Sequence, residues 1–404
     1  GGHNVTNDKM YSNLLWNPGG TTLEPDAAES FEISADGLTW TFVLRPNVKF
    51  QSYPDADMAG PRDGTLMTAA DVKYSMEKIM GLVDGIVSAR SGWMKEFVDI
   101  DRDDVGLEVV DDRTIKFHLT QPFAGLGNIL AIGFSGLYPE GTTRDMLGGD
   151  RPFGAGPYQL AEHQRGALWR WVPNPDYFKP GLPYVDEFHN IALDNPEIVE
   201  AAFLTKRIDL HTGNAIVSRD NRSAYQALFD SGEAIVQKYT PNCYPQGLLF
   251  NVTAPPFDNK ELRQAVHLGI DREAYIQVVH DGNAEIAMFQ KGAFARPAEE
   301  IANQPGYRQP HDQDLAEAQR IIADLYPSGL SITQVVRDSS GYMRENEFIN
   351  GELRKMGIDS TIDVMNVSQI FPLFTALNFE ASAYWYCQTT LIPAELFGSY
   401  FITG

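Results

Sequence analysis

The sequence predicts a mixed α/β protein of more than one domain, and three observations carry that prediction. The chain has 404 residues, beyond the roughly 250–300 at which a single hydrophobic core stops growing. Hydrophobic residues make up 43% and aromatics 11%, enough to fill more than one core, which excludes a disordered chain. Beyond residue 248, helix-period and strand-period segments alternate, the pattern of parallel strands with helices on both faces.

The elements follow in order. Strand alternation opens at Thr39-Trp40-Thr41-Phe42-Val43-Leu44, after the turn signal Ala35-Asp36-Gly37. Thr68-Ala69-Ala70-Asp71 caps a helix on which Val72, Ser75, Met76 and Ile79 share one face. A second strand is Thr114–Leu119. The middle holds turns and strands from Gly154 to Tyr177, then a helix near Pro196–Thr205. A strand at Gly247–Asn251 precedes a helix at Glu261–His267, and Asp271 caps the next helix. The last third reads helix Asp314–Leu325, strand Leu330–Val336, and helix Arg344–Met356 ended by Gly357. Strands at Ser360–Val364 and Ser382–Tyr386 follow. No internal repeat or low-complexity segment is present.

Charge narrows the function. The chain carries 32 basic and 54 acidic residues, a net of −22. Phosphate backbones are bound by clustered Lys and Arg, so a nucleic-acid partner is excluded, and the acidic surface reads as solubilising. No apolar run approaches the roughly 18 residues that span a bilayer. Gly1-Gly2-His3-Asn4 has neither the basic nor the apolar region of a signal peptide, so the expectation is a mature chain whose signal segment is gone.

Motifs for covalent chemistry are weak. Ser75-Met76-Glu77-Lys78 has S-x-x-K spacing but lacks the companion S-D-N and K-T-G strings. Ser75 also fits as a small inward residue of its helix. Gly154-Ala155-Gly156 begins like a dinucleotide loop, but Gln159 stands where the third glycine belongs and Pro157 follows at once, so a tight turn is expected. The eight histidines are scattered, with no pair at helical spacing. No C-x-x-C pair exists, since the two cysteines are Cys243 and Cys387. No catalytic residue, metal site or cofactor is assigned. The N-x-[ST] sequons at Asn4, Asn251 and Asn366 are of a kind that arises by chance.

Several segments together resemble the dipeptide/oligopeptide/nickel-binding solute-binding proteins of ABC transporters (family 5). They are Glu29–Arg45, Val48-Lys49-Phe50 with Thr68–Ser75, Gly154–Tyr158, and Asn174–Phe178. Phe250-Asn251-Val252, Pro256–Asp258, Leu262–Ala265, Ile270-Asp271-Arg272 and Leu353–Ile358 complete the set. Each is short, and their weight comes from standing in the family's order. The resemblance implies a two-lobe periplasmic-binding-protein-like fold. Lobe I would span 1–247, with an inserted subdomain at about 8–158 and its core at 159–247, and lobe II would span 248–404. The family's C-terminal return segment to lobe I is expected to be absent from this chain. A monomer is expected, outside the cytoplasm and with a lipid anchor as an option, serving a permease and ATPases made as separate chains.

The resemblance also places a ligand between the lobes. Tyr384-Trp385-Tyr386-Cys387-Gln388 resembles the family's cleft loop. Peptide-binding members carry Asp at the position of Gln388. A neutral amide cannot neutralise an ammonium group, which shifts weight among the expected solutes (a peptide, an oligosaccharide or another organic or chelate ligand) away from free-amine peptides. Trp385, Tyr384 and Tyr386 offer stacking surfaces. Arg90-Ser91-Gly92-Trp93 resembles the Arg-x-x-Trp of nickel-binding members, with Arg90 suited to a carboxylate and Trp93 facing the cleft. Asn242, Tyr244 and Asp338 lie where strands leave toward the cleft. Cys243 and Cys387 stand near the positions of a disulfide found in some members. A sensory or chaperone-like binder would use the same cleft. A hydrolase on this scaffold would need a nucleophile–base pair or a metal, and the sequence displays neither.

Overall fold

The structure is a computed structural model. It describes residues 9–18, 22–54, 59–83, 92–143, 146, 153–193, 196–210, 222–235, 243–282, 284–286, 296–338 and 340–387. The chain forms two compact units, Gly1–Tyr239 with Thr389–Gly404, and Thr240–Gln388.

In the first unit, β1 (Leu15–Trp16) pairs with β2 (Glu24–Pro25). β3 (Ala28–Ile33), β4 (Thr39–Leu44), β5 (Leu107–Val109) and β6 (Thr114–His118) form an antiparallel sheet in the order β3-β4-β6-β5. The alternation seen in the sequence of β4 is its burial pattern: Trp40, Phe42 and Leu44 are buried and their neighbours half-buried. Ile115 and Phe117 of β6 join the same core, and Phe31, Trp40 and Phe42 stack along it. Helix α1 (Ala69–Met80) contributes Val72, Met76 and Ile79 to that core, as its 3.6-residue spacing predicts.

The start of α1 is fixed by Asp71, which is fully buried. Its carboxylate accepts from the Thr68 N–H at 2.7 Å, the Arg62 guanidinium at 2.6 Å and the Glu140 N–H at 2.9 Å. One acid thus caps the helix and ties two loops to it. A separate sheet holds β7 (Tyr158–Gln164), β8 (Leu168–Pro173) and β9 (Phe188–Ile191) around buried Trp171, whose indole N–H donates to Asn190. Helices α2 (Pro196–Leu204) and α3 (Arg222–Asp230) follow, with Phe203 stacked on Tyr225.

The second unit has a four-stranded sheet of β10 (Cys243–Phe250), β11 (Leu330–Arg337), β12 (Ile358–Met365) and β13 (Ala381–Cys387), in the order β10-β13-β11-β12. Around it, among the described residues, lie α4 (Lys260–Gly269), α5 (Arg272–His280), α6 (Asp312–Leu325), α7 (Ser340–Lys355) and α8 (Val367–Thr375), besides a short helix at Ala298–Ala302. Asn259 and Asp271 cap α4 and α5 through their side-chain oxygens. Leu262, Ala265 and Val266 of α4 pack with Ile322, Ile332, Leu353 and Ile358.

The alternation after residue 248 does produce parallel strands, since β11 pairs in parallel with both β12 and β13. β10 departs from it, running antiparallel to β13. No helical crossover joins those two strands, so nothing in the connectivity demands a parallel pair. The sequence-based division at 247/248 falls inside β10, whose residues from Cys243 to Phe250 all lie in the second unit.

Candidate ligand-binding site

The second unit's sheet reverses its direction of winding between β11 and β13. From β11 the chain passes through α7 to β12 on one side, then through α8 back across β11 to β13. In open α/β sheets the crevice at the carboxyl ends of such strands is where ligands bind. Here the two strands share a single pairing, Gln334 with Ala381, so their carboxyl halves are not laddered together. That fork is the candidate site.

Three side chains build its described wall. Arg337, the last residue of β11, is half-buried, and its guanidinium lies over the Tyr342 ring at 5.6 Å from the centroid. Its side chain hydrogen-bonds Tyr342, but its Nε is buried and makes no hydrogen bond among the described residues. Tyr342, at the start of α7, stacks on Tyr384 of β13 at 5.3 Å. Burial, with Tyr384 nearby, pushes the Tyr342 phenol well above its ordinary value, so it stays neutral and does not offset the charge on Arg337. Phe371 and Phe374 of α8 meet the Tyr384 ring edge-on. The arrangement is a cation on an aromatic ledge, suited to an anionic group attached to an apolar or planar body.

The expected residues distribute unevenly. Tyr244, Trp385 and Tyr386 lie in β10 and β13 toward the same end of the sheet as Arg337, and Cys243 stands directly opposite Cys387 in the antiparallel register. Asp338 follows β11, exposed, with its N–H donating to Met365 O at 2.7 Å. Trp93 belongs to the other unit, in the short 3-10 turn Gly92–Glu96. Arg90, Asn242 and Gln388 lie outside the described residues. Tyr384 packs within an aromatic cluster. Arg337 was missed, although a basic residue closing the apolar run Leu330–Val336 was a usable signal.

Polar motifs elsewhere have structural work. Ser75 is fully buried, its Oγ 2.7 Å from Asp71 O and accepting from the Tyr138 N–H at 2.8 Å. The two glycines of Gly154-Ala155-Gly156 let another backbone segment approach: a Cβ on Gly154 would lie 2.1 Å from Met10 O, and one on Gly156 would lie 2.4 Å from Lys9 O. One group with metal-binding donors gathers among the described residues, Asp104, Glu108 and His118. Its atoms are already engaged, Asp104 with Arg102 and Glu108 with His118. Among the described residues no helix is long and apolar enough to cross a membrane.

Residues 22–402 match the family model described as bacterial extracellular solute-binding proteins, family 5 Middle. The glutathione-binding protein GsiB of Escherichia coli O1:K1 / APEC is 27% identical over 349 residues, covering 85% of this chain and 61% of that protein. GsiB of Salmonella typhi is 28% identical over the same shares. The chain thus spans about three-fifths of the length of these relatives, 61%. The periplasmic binding protein DppA from Helicobacter pylori, in complex with peptide STSA, matches with TM-score 0.77 and 23% identity, over 98% of this chain and 75% of that one. The binding protein AgaA from A. tumefacien R10, in complex with agropinic acid, matches with TM-score 0.76 and 23% identity, over 98% and 74%. The fold is therefore the two-lobe α/β fold of these periplasmic binding proteins.

Proposed function

This chain belongs to the bacterial extracellular solute-binding proteins of family 5, and from that membership we propose that it is the solute-capturing component of an ABC importer. It acts outside the cytoplasm and hands its ligand to a permease and ATPases that are separate chains. The two compact units serve as the lobes, and hinge closure over the solute couples capture to delivery. The protein binds without turnover. Trp385, Tyr386 and Gln388 contribute from lobe II, and Arg90 and Trp93 from lobe I. Cys243 and Cys387 are bonded, since partners across an antiparallel ladder sit at about 4.5–5.5 Å, within disulfide reach.

The observation that carries the ligand assignment is Arg337: a half-buried guanidinium at the carboxyl end of β11, with a buried Nε that has no hydrogen-bond partner among the described residues. We assign it to a carboxylate of the solute, which makes the cargo an organic acid of modest size. Glutathione and agropinic acid, bound by relatives as their names and complexes state, both fall within that chemistry. The test is calorimetric titration with glutathione, agropinic acid and the tetrapeptide STSA. Tight binding of one acid that Arg337→Ala abolishes supports the assignment. Equal binding by wild type and Arg337→Ala overturns it.

A further inference from the structure

Asn346 sits in the middle of α7 with no exposure, where an amide is costly unless its polar atoms are matched. One residue of β13 matches them. The Asn346 Oδ1 accepts from the Ala383 N–H at 3.1 Å, and its Nδ2 donates to the Ala383 carbonyl at 3.3 Å. Nδ2 also donates to the Tyr342 carbonyl at 2.8 Å, which ties the same amide to the residue beneath Arg337. An N–H and a carbonyl on one side of a strand residue are the groups a neighbouring strand would take. β11 fills that role at Ala381, through Gln334, and in the described register goes no further. Asn346 therefore stands in for one peptide unit of a ladder at the place where β11 and β13 part.

We propose that Asn346 is a positioning residue of the ligand site: it holds the carboxyl half of β13 on α7 and β10, and so keeps the fork beside Arg337 open. The proposal rests on the reading of this fork as the ligand site. An apolar residue at 346 would fill the space equally well but leave both Ala383 groups without partners. An ordinary continuation of the β11–β13 ladder would satisfy those groups and close the fork. An amide does neither.

The test uses the full chain and the variants Asn346→Leu and Asn346→Asp, the latter keeping an acceptor for the Ala383 N–H. Hydrogen exchange without ligand is expected to quicken about ten-fold at Ala383 and its β13 neighbours in Asn346→Leu, less in Asn346→Asp, with β12 and α4 unchanged. Acceleration spread evenly over the unit, or none at Ala383, overturns the role of Asn346. Titration with the tightest binder among glutathione, agropinic acid and STSA is expected to show Kd raised about ten-fold in Asn346→Leu. Local acceleration with unchanged Kd also overturns the proposal. A wild type that binds none of the three removes its premise, a result separable from the exchange outcome.

Discussion

In the first unit the sheet β3-β4-β6-β5 is laddered along each of its neighbouring pairs, while in the second β11 and β13 share one pairing and then part. The charged groups differ in step. Beside the first sheet, buried Asp71 accepts from a helix start, a guanidinium and a loop amide. At the second, Arg337 keeps a buried Nε with no hydrogen-bond partner among the described residues. A satisfied charge of the first kind belongs to the architecture. A buried donor atom left without a partner among the described residues, where a sheet opens, is what a binding protein needs for its ligand.

Asp71→Ala should give the largest loss of stability, about 3 kcal/mol, because it strips a buried cap and removes the carboxylate partner of Arg62. It should lower Tm in a thermal melt and leave ligand affinity unchanged. Arg337→Ala should do the reverse, weakening ligand binding by about 2–4 kcal/mol by calorimetry while moving Tm little. If Asp71→Ala weakens binding as strongly as Arg337→Ala, the two regions do not divide the work as described.

A smaller effect is expected at His267. Burial, and then the adjacent Arg272 charge, lower its pKa from 6.5. Arg272 can only donate, so the His267 Nδ1 at 2.9 Å accepts, and its Nε2–H donates to Pro305 O at 3.1 Å. The folded state therefore holds the neutral ring. The unfolded chain takes up a proton first as pH falls, so this contribution is full above pH 6.5 and declines below it, toward the lowered native value. Denaturant titrations at pH 8 and pH 5 should show a steeper acid loss in wild type than in His267→Gln. The smallest effect belongs to the exposed Lys206–Glu233 pair, where Lys206→Ala should leave Tm unchanged.

Much of the architecture was legible because local rules and tertiary structure agree. The alternation at Thr39–Leu44, the cap at Thr68 and the capping acid at Asp271 all appear as read. Helix α8 escaped notice since Pro372 lies inside it, and proline normally argues against a helix interior. The antiparallel entry of β10 is a matter of connectivity, which periodicity does not encode. At the candidate site, the family motif singles out the segment Tyr384–Gln388, of which Tyr384 stacks on Tyr342. Arg337 and Asn346 are not singled out, because their meaning comes from a fork between two strands 44 residues apart in sequence, from Arg337 to Ala381. Asn346 in particular reads as one more polar residue on a charged helix until its partner at Ala383 is known.

Native mass spectrometry of the purified protein beside Arg337→Ala, with any retained small molecule released and identified, decides whether Arg337 holds an acidic solute. The account predicts a carboxylate-bearing organic solute, bound one per chain in wild type and lost from Arg337→Ala. A retained ligand without an acidic group, or equal retention by both proteins, would contradict it.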